Sequence, residues 1–388
     1  MFDGHAHQWL DLAIRWTHVI VGIAWIGTSF YFNWLNNHIR KPESGDEGVA
    51  GELWSVHGGG FYRVLKYEVA PESLPAKLHW FKWEAYATWL SGFALLALVY
   101  WLGPIGTSVD PSRADLSRLA LIGIGIGSML VAWFVYDLLC KSPLGTRPGL
   151  LAAIGVVAVG ALAYGFSQIL TGRAAYIHVG AVLGTLMTAN VFADIIPAQR
   201  RMVDAMTRGE TPDPKPLKDA ARRSLHNNYL TLPVVFIMVS IHFPMTFGSE
   251  WNWGLLAALS VIGALVRHWF NLRGQGHLNV WILPAAVAGM IALAVVTVPQ
   301  QGGDPPTEVP DEIMSIIDAR CASCHSRTTT QAGFTEAPKG IVFDTKEDAL
   351  PFAITIGRVV DNGFMPLGNI TAMTDEERQR VTDWAFGG

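Results

Sequence analysis

Eight apolar stretches punctuate the first three hundred residues, near 8–34, 80–102, 116–140, 149–170, 175–196, 228–247, 252–272 and 279–298. Each is long enough to cross a hydrocarbon layer as a helix, which takes about 20 residues. The fold expected is therefore all-α: a polytopic bundle of about eight transmembrane helices. Composition agrees, with 51% hydrophobic and 15% charged residues where a soluble domain carries about a quarter charged. The first stretch has no basic segment ahead of it and no small-residue cleavage site behind it, so it reads as a retained span.

After the last stretch comes "VPQQGGDPPTEVPDE", a Pro-, Gly- and acid-rich linker. The expected organisation is a membrane domain over 1–298, a linker over 299–310 and a small polar domain over 311–388. That domain opens on "CASCH", the spacing that attaches haem covalently, with Cys321 and Cys324 forming thioethers and His325 ligating iron. About forty residues on, "GFMPLGN" resembles the distal ligand loop of c-type cytochromes and nominates Met365 as sixth ligand. An imidazole and thioether pair raises the reduction potential and suits an electron acceptor. Met373 is a weaker candidate. A zinc site would need a second cysteine pair, and the third cysteine, Cys140, stands alone.

Two arguments give orientation. Haem attachment of this type resembles that of bacterial c-type cytochromes, which mature outside the cytoplasmic membrane; an even number of spans then puts both termini in the periplasm of a bacterial inner membrane. The loops that would be cytoplasmic hold Arg40, Lys41, Arg63, Lys66, Lys141, Arg147, Arg200, Arg201, Arg208, Lys215, Lys218, Arg222, Arg223 and Arg273 among others, against Arg113, Arg118 and Arg173 on the other side, as the positive-inside rule requires.

Polar groups within the spans are functional suspects by default, although packing glue between helices is the competing reading for any one of them. At the cytoplasmic side the sequence gathers Asn190, Asp194, His226, Asn227 and Asn228, beside Glu84 and a loop carrying His57, Phe61 and Tyr62. Amides, imidazoles and rings of this kind hydrogen-bond and stack a flat polar heterocycle, with Glu84, Asp194 or His226 as proton acceptor. His18, His178 and His242 lie in the other half; two of them are candidates to ligate a second, non-covalent haem b that relays electrons across a core about 30 Å thick.

The segments "GIAWIGTSFYFNWLN", "ELWSVHGGGFYR", "HWFKWEAYATWLSG", "ANVFADIIPAQ" and "HNNYLTLPVVFIMVSIHFP", followed by "CASCH" and "MPLGN", resemble the bacterial membrane-bound urate hydroxylases, integral-membrane cytochrome c urate oxidases. The resemblance implies oxidation of urate with water to 5-hydroxyisourate in purine catabolism, with electrons leaving through a fused haem c to a respiratory oxidase or soluble cytochrome. Under it His57, Phe61, Tyr62, Asn190, Asn227 and Asn228 are the expected urate contacts. The lipid bilayer is the expected surroundings, and no nucleic-acid partner is expected. Competing readings are an electron-transfer membrane protein oxidising quinol or another substrate, and a transporter with a redox-sensing cytochrome tail. A haem-copper oxidase is disfavoured because the chain lacks an adjacent histidine pair.

Overall fold

A computed structural model describes residues 4–42, 48–67, 77–110, 113–249, 251–298, 305–331, 334 and 336–387. Of the expected linker, 299–304 lie outside the described residues.

Helix α1 (Gly4–His38) runs the full height of a bundle and packs on α2 (Trp83–Leu95), which continues through a π-helical turn, Leu96–Trp101. Then come α3 (Arg118–Lys141), α4 (Pro148–Ser167) and α5 (Gly172–Ala189). A second π-helical turn, Asn190–Ile195, joins α5 without a break to α6 (Ile196–Thr207). The bundle closes with α7 (Pro214–Ser240), a short α8 (Pro244–Phe247), α9 (Asn252–Gly274) and α10 (Ile282–Val296). We call the end where α1 begins proximal and the end where it finishes distal.

Local chemistry sets several of these boundaries. Ser117 and Thr171 cap α3 and α5 by accepting the N–H of Ala120 and Ala174, satisfying donors that have no partner within the helix. Asp213 does the same for Lys215 at the start of α7, followed at once by Pro214.

Among the described residues, five helical stretches are long and apolar enough to cross a membrane: 5–38, 118–141, 148–167, 172–207 and 252–274. The other three expected spans differ for identifiable reasons. The second is interrupted by its π-turn, the sixth shares α7 with a charged first half, "PKPLKDAARR", and the last is a helix of 15 residues. Large apolar side chains face outward on α3, α4 and α10: Leu119 and Val296 are about four-fifths exposed. Such a surface suits hydrocarbon, where burial of those side chains in protein gains nothing.

At the centre stands α5, which buries Tyr176, His178, Val179, Val182, Leu183, Leu186 and Met187. It packs on α3, α4 and α7, with α9 behind α4 and α7.

Two features depart from the bundle. Val49–His57 (β1) and Gly60–Tyr67 (β2) form an antiparallel hairpin with His57 opposite Gly60. The two-residue turn, Gly58 and Gly59, sits at φ +56° and +80°, the primed geometry that matches strand twist. The segment was expected to be a plain loop. After α10, helices α11 (Asp311–Arg320), α12 (Lys346–Ala349), α13 (Ala353–Asp361) and α14 (Asp375–Phe386) surround a core of their own, built from Ile313, Ile316, Ile317, Phe343, Ile356, Val360, Met373 and Val381.

This C-terminal unit is seated on the proximal end. Phe364 packs into the bundle core with its ring 5.9 Å from that of Phe247, and the backbone of Gly368 lies directly against Gly106.

Candidate functional site

At the distal end, α3, α5 with its π-turn, and α7 hold one continuous polar network. Arg223, only 2% exposed, donates to Asp137 (2.6 Å) and to the side-chain oxygen of Asn190 (3.1 Å), and lies 3.9 Å from Asp194. Its guanidinium sits over the Tyr136 ring, 4.9 Å from the centroid. Asn190 donates to Asn227 (2.8 Å) and to the Tyr136 hydroxyl (3.1 Å), and that hydroxyl shares a 2.8 Å hydrogen bond with Nδ1 of His226. Asn190, Asp194, His226 and Asn227 are thus brought together, around an arginine that the sequence reading had assigned to a loop. The signal for Arg223 was present: α7 buries positions 220, 223, 227, 228 and 231, the helical repeat that carries Asn227 and Thr231.

A second network joins α1, α7 and α9. Asn228 accepts from Nε of Arg267 (2.7 Å) and from Asn271 (3.1 Å), Asn33 donates to Asn271 (2.6 Å), and the Arg267 guanidinium stacks 3.9 Å above the Phe30 ring.

Most polar groups here satisfy one another, as packing requires. Besides Nε of Arg222, four at this end do not: Oδ2 of Asp194, Oε2 of Glu84, Nδ2 of Asn228 and Oγ1 of Thr188 are buried and have no hydrogen-bond partner among the described residues. Leaving such a group unmade costs about 1–3 kcal/mol, so two acceptors, an amide donor and a hydroxyl are available to a polar ligand. Asn190 and Asp194 both lie on the π-turn, a distortion that re-aims side chains and recurs at functional sites. His57, Phe61 and Tyr62 do not join them. They lie on the two-stranded hairpin, where Phe61 is 80% exposed and Tyr62 is exposed as well.

Above the network a cavity of about 270 Å³ opens between α1, α2, α5 and α7. His18, His242, Arg15 and Arg173 line it, with Trp25, Trp89 and Tyr100; Thr188 and Thr231 are among its polar lining groups. His178 does not line it. Its Nδ1–H donates to the carbonyl of Ala174 (2.8 Å) and its Nε2 accepts from Trp101 (3.1 Å). With both nitrogens engaged, this histidine is a packing element of the core and drops out as a haem ligand.

In the C-terminal unit, Cys321 and Cys324 are unbridged. Burial pushes the Cys321 thiol up to about 12 and raises that of Cys324 as well, so neither is a thiolate at neutral pH. One helical turn later, Nδ1 of His325 lies 3.0 Å from the carbonyl of Ile341, which accepts from it; that fixes the ring and leaves Nε2 as the nitrogen for a ligand bond. Arg378 donates to the carbonyls of Val360 (3.0 Å) and Met365 (2.9 Å) and to Asn369 (3.0 Å), pinning the loop that carries Met365. Met365 is half-buried, whereas Met373 is 3% exposed within the unit's core.

The family model described as urate oxidase N-terminal matches residues 4–298. No curated protein and no solved structure matches the chain.

Proposed function

From the premise that this chain belongs to the urate oxidase N-terminal family, we propose that it is a membrane-bound urate hydroxylase whose C-terminal unit collects the electrons. The family match across the whole bundle carries this reading. The half-reaction balances as urate plus water giving 5-hydroxyisourate, two protons and two electrons. The bundle must therefore hold a flat anion, admit one water and accept protons, and an acceptor must take electrons singly.

Urate would bind at the distal end. Its N–H edges suit Asp194 Oδ2 and Glu84 Oε2, its carbonyl edges suit Asn228 Nδ2, and Arg223 and Arg267 offset its charge. Asn190 holds that wall rigid through its bonds to Arg223, Tyr136 and Asn227, and Asn227 in turn donates to the Met187 carbonyl. As electrons leave, the ring becomes electrophilic and water adds; Asp194, Glu84 or His226 then takes the released proton. Of these, Asp194 is favoured because one oxygen is unpartnered while Arg223 stands 3.9 Å from the other.

The C-terminal residues suit a covalently attached haem c. Two unbridged thiols at the required spacing precede an imidazole whose Nε2 is available, and Met365 sits on a pinned loop. When bound, the group would supply one-electron acceptance at a high potential. On this reading the tail and the N-terminus face the periplasm of a bacterial inner membrane, and a respiratory oxidase or soluble cytochrome takes the electrons onward.

Mixing the purified protein with urate under anaerobic conditions tests the reading. We expect the visible bands of a reduced c-type haem to appear, together with 5-hydroxyisourate, and both to be lost in Cys324→Ala. An unchanged spectrum with bound urate would instead fit a transporter and overturn the enzyme.

A further inference from the structure

We infer that the cavity between α1, α2, α5 and α7 is a site for a second, non-covalent iron porphyrin, ligated by Nε2 of His18. Three independent features of the cavity converge on that ligand.

The first is the imidazole. Nδ1 of His18 lies 3.1 Å from the carbonyl oxygen of Thr88, which can only accept. The Ser91 hydroxyl lies 3.0 Å from the same nitrogen, so Nδ1 is held from two sides, and Nε2, at the other edge of the ring, has the Met238 sulfur as its neighbour at 3.3 Å. A backbone carbonyl that fixes the ring through one nitrogen and leaves the other for the ligand is the usual support of a metal-ligating histidine. Met238 and His242 both line the cavity; His242 would supply the second ligand, because the Met238 sulfur stands too close to Nε2 to share an iron with it. No hydrogen bond engages the His242 side chain among the described residues.

The second is shape. Gly22, Gly92, Gly180 and Gly184 line the cavity from three helices. A methyl on Gly92 would stand 2.9 Å from Cε1 of His18, so the imidazole keeps its position only because that residue has no side chain. On the α5 side, a methyl on Gly184 would meet nothing within 4 Å, which leaves backbone as the wall of a slot for a flat group. Trp25, Trp89, Phe93 and Tyr100 supply rings around it.

The third is charge. Arg15 and Arg173 both line the cavity, and Arg173 lies in the first turn of α5 at the proximal end, its guanidinium 6.0 Å from the Tyr100 ring. Nε of Arg173 is buried without a partner. Arg15 is already clasped by Asp11, at 2.7 and 2.9 Å, which leaves Arg173 as the group to be matched; a hydrocarbon chain gives it nothing to bind, whereas a porphyrin carboxylate suits it.

The inference stands apart from the urate reading, although it would supply the relay which that reading needs: the cavity lies above the distal network and its proximal residues approach the end on which the Met365 loop is seated. Acidified acetone separates the two kinds of haem, because a thioether-linked haem stays with the polypeptide. Full-length protein purified from haem-replete cells should release about one haem per chain into the solvent by pyridine haemochrome assay, alongside the retained covalent haem; a solvent fraction without haem overturns the site, whatever urate does. His18→Ala should lower the extractable haem by about tenfold or more and leave the covalent haem unchanged, and an unchanged extractable fraction removes His18 as ligand. Should His18→Ala fail to assemble, seen as loss of both haems, Gly184→Leu fills the slot from the opposite wall. Extractable haem at the wild-type level in that variant also overturns the site.

Discussion

Asp194 shows how one side chain can be both anchored and available. One carboxylate oxygen stands 3.9 Å from a buried arginine and the other faces no partner. Asp194→Asn keeps the shape and removes the basic oxygen. We expect kcat for urate to fall about 10²-fold or more, the usual size of a general-base contribution, with KM moved much less; equal losses in kcat and in urate affinity would instead mark a binding role. Single residues were partly legible in the sequence. Polar groups inside apolar runs are costly enough to stand out, which is how Asn190, Asp194 and the His226–Asn228 run were found. Arg223 was missed although its spacing puts it on the face of Asn227 and Thr231, because an arginine nine residues past a helix start reads equally as a solvated one until its partner Asp137, on another helix, is known. His178 misled for the opposite reason: nothing local reveals that Trp101 occupies its second nitrogen.

Elements were legible where periodicity or length decides, and less so where backbone distortion does. The π-turns at Leu96–Trp101 and Asn190–Ile195 carry ordinary apolar sequence and leave no signature, yet one of them aims Asp194. The hairpin did leave a signal, since paired glycines between β-prone residues favour a two-residue turn. The C-terminal helices owe their arrangement to legible caps: Thr374 and Glu377 form a reciprocal capping box at the start of α14. Glu377 also receives a two-nitrogen clasp from Arg320 of α11, at 2.9–3.1 Å. Burial would raise its pKa, but the hydrogen bonds from Arg320 and from the Thr374 backbone outweigh it and hold the carboxyl below its ordinary value. A depressed folded pKa contributes stability above the unfolded value, about 4.3, and loses it as pH falls through the folded one. Thermal unfolding of the unit, followed in the full protein by a C-terminal reporter, should therefore shift to lower temperature as pH drops from about 5 toward 3. Arg320→Met should flatten that dependence, and an equal slope in both proteins would remove this pair as its source.

At the scale of the whole molecule, the contact between the bundle and its C-terminal unit matters most. Gly368 has φ +56° and its Cα faces the Gly106 backbone, where a methyl group would collide with the carbonyl. Gly368→Val should therefore push the Met365 loop off the proximal end. We expect urate binding and covalent haem to persist while reduction of that haem by urate slows by at least about tenfold, a loss of roughly 1.4 kcal/mol in the barrier; an unaltered rate would mean that the seat plays no part in transfer. None of this contact was readable beforehand, because long-range docking depends on two glycines 262 positions apart whose meaning is purely steric. A tail clamped in this way is a terminal and not a shuttle. On the proposed reading, whatever drains the protein must visit it from outside, so turnover in a crowded membrane would follow the supply of visitors more than any swing of the tether.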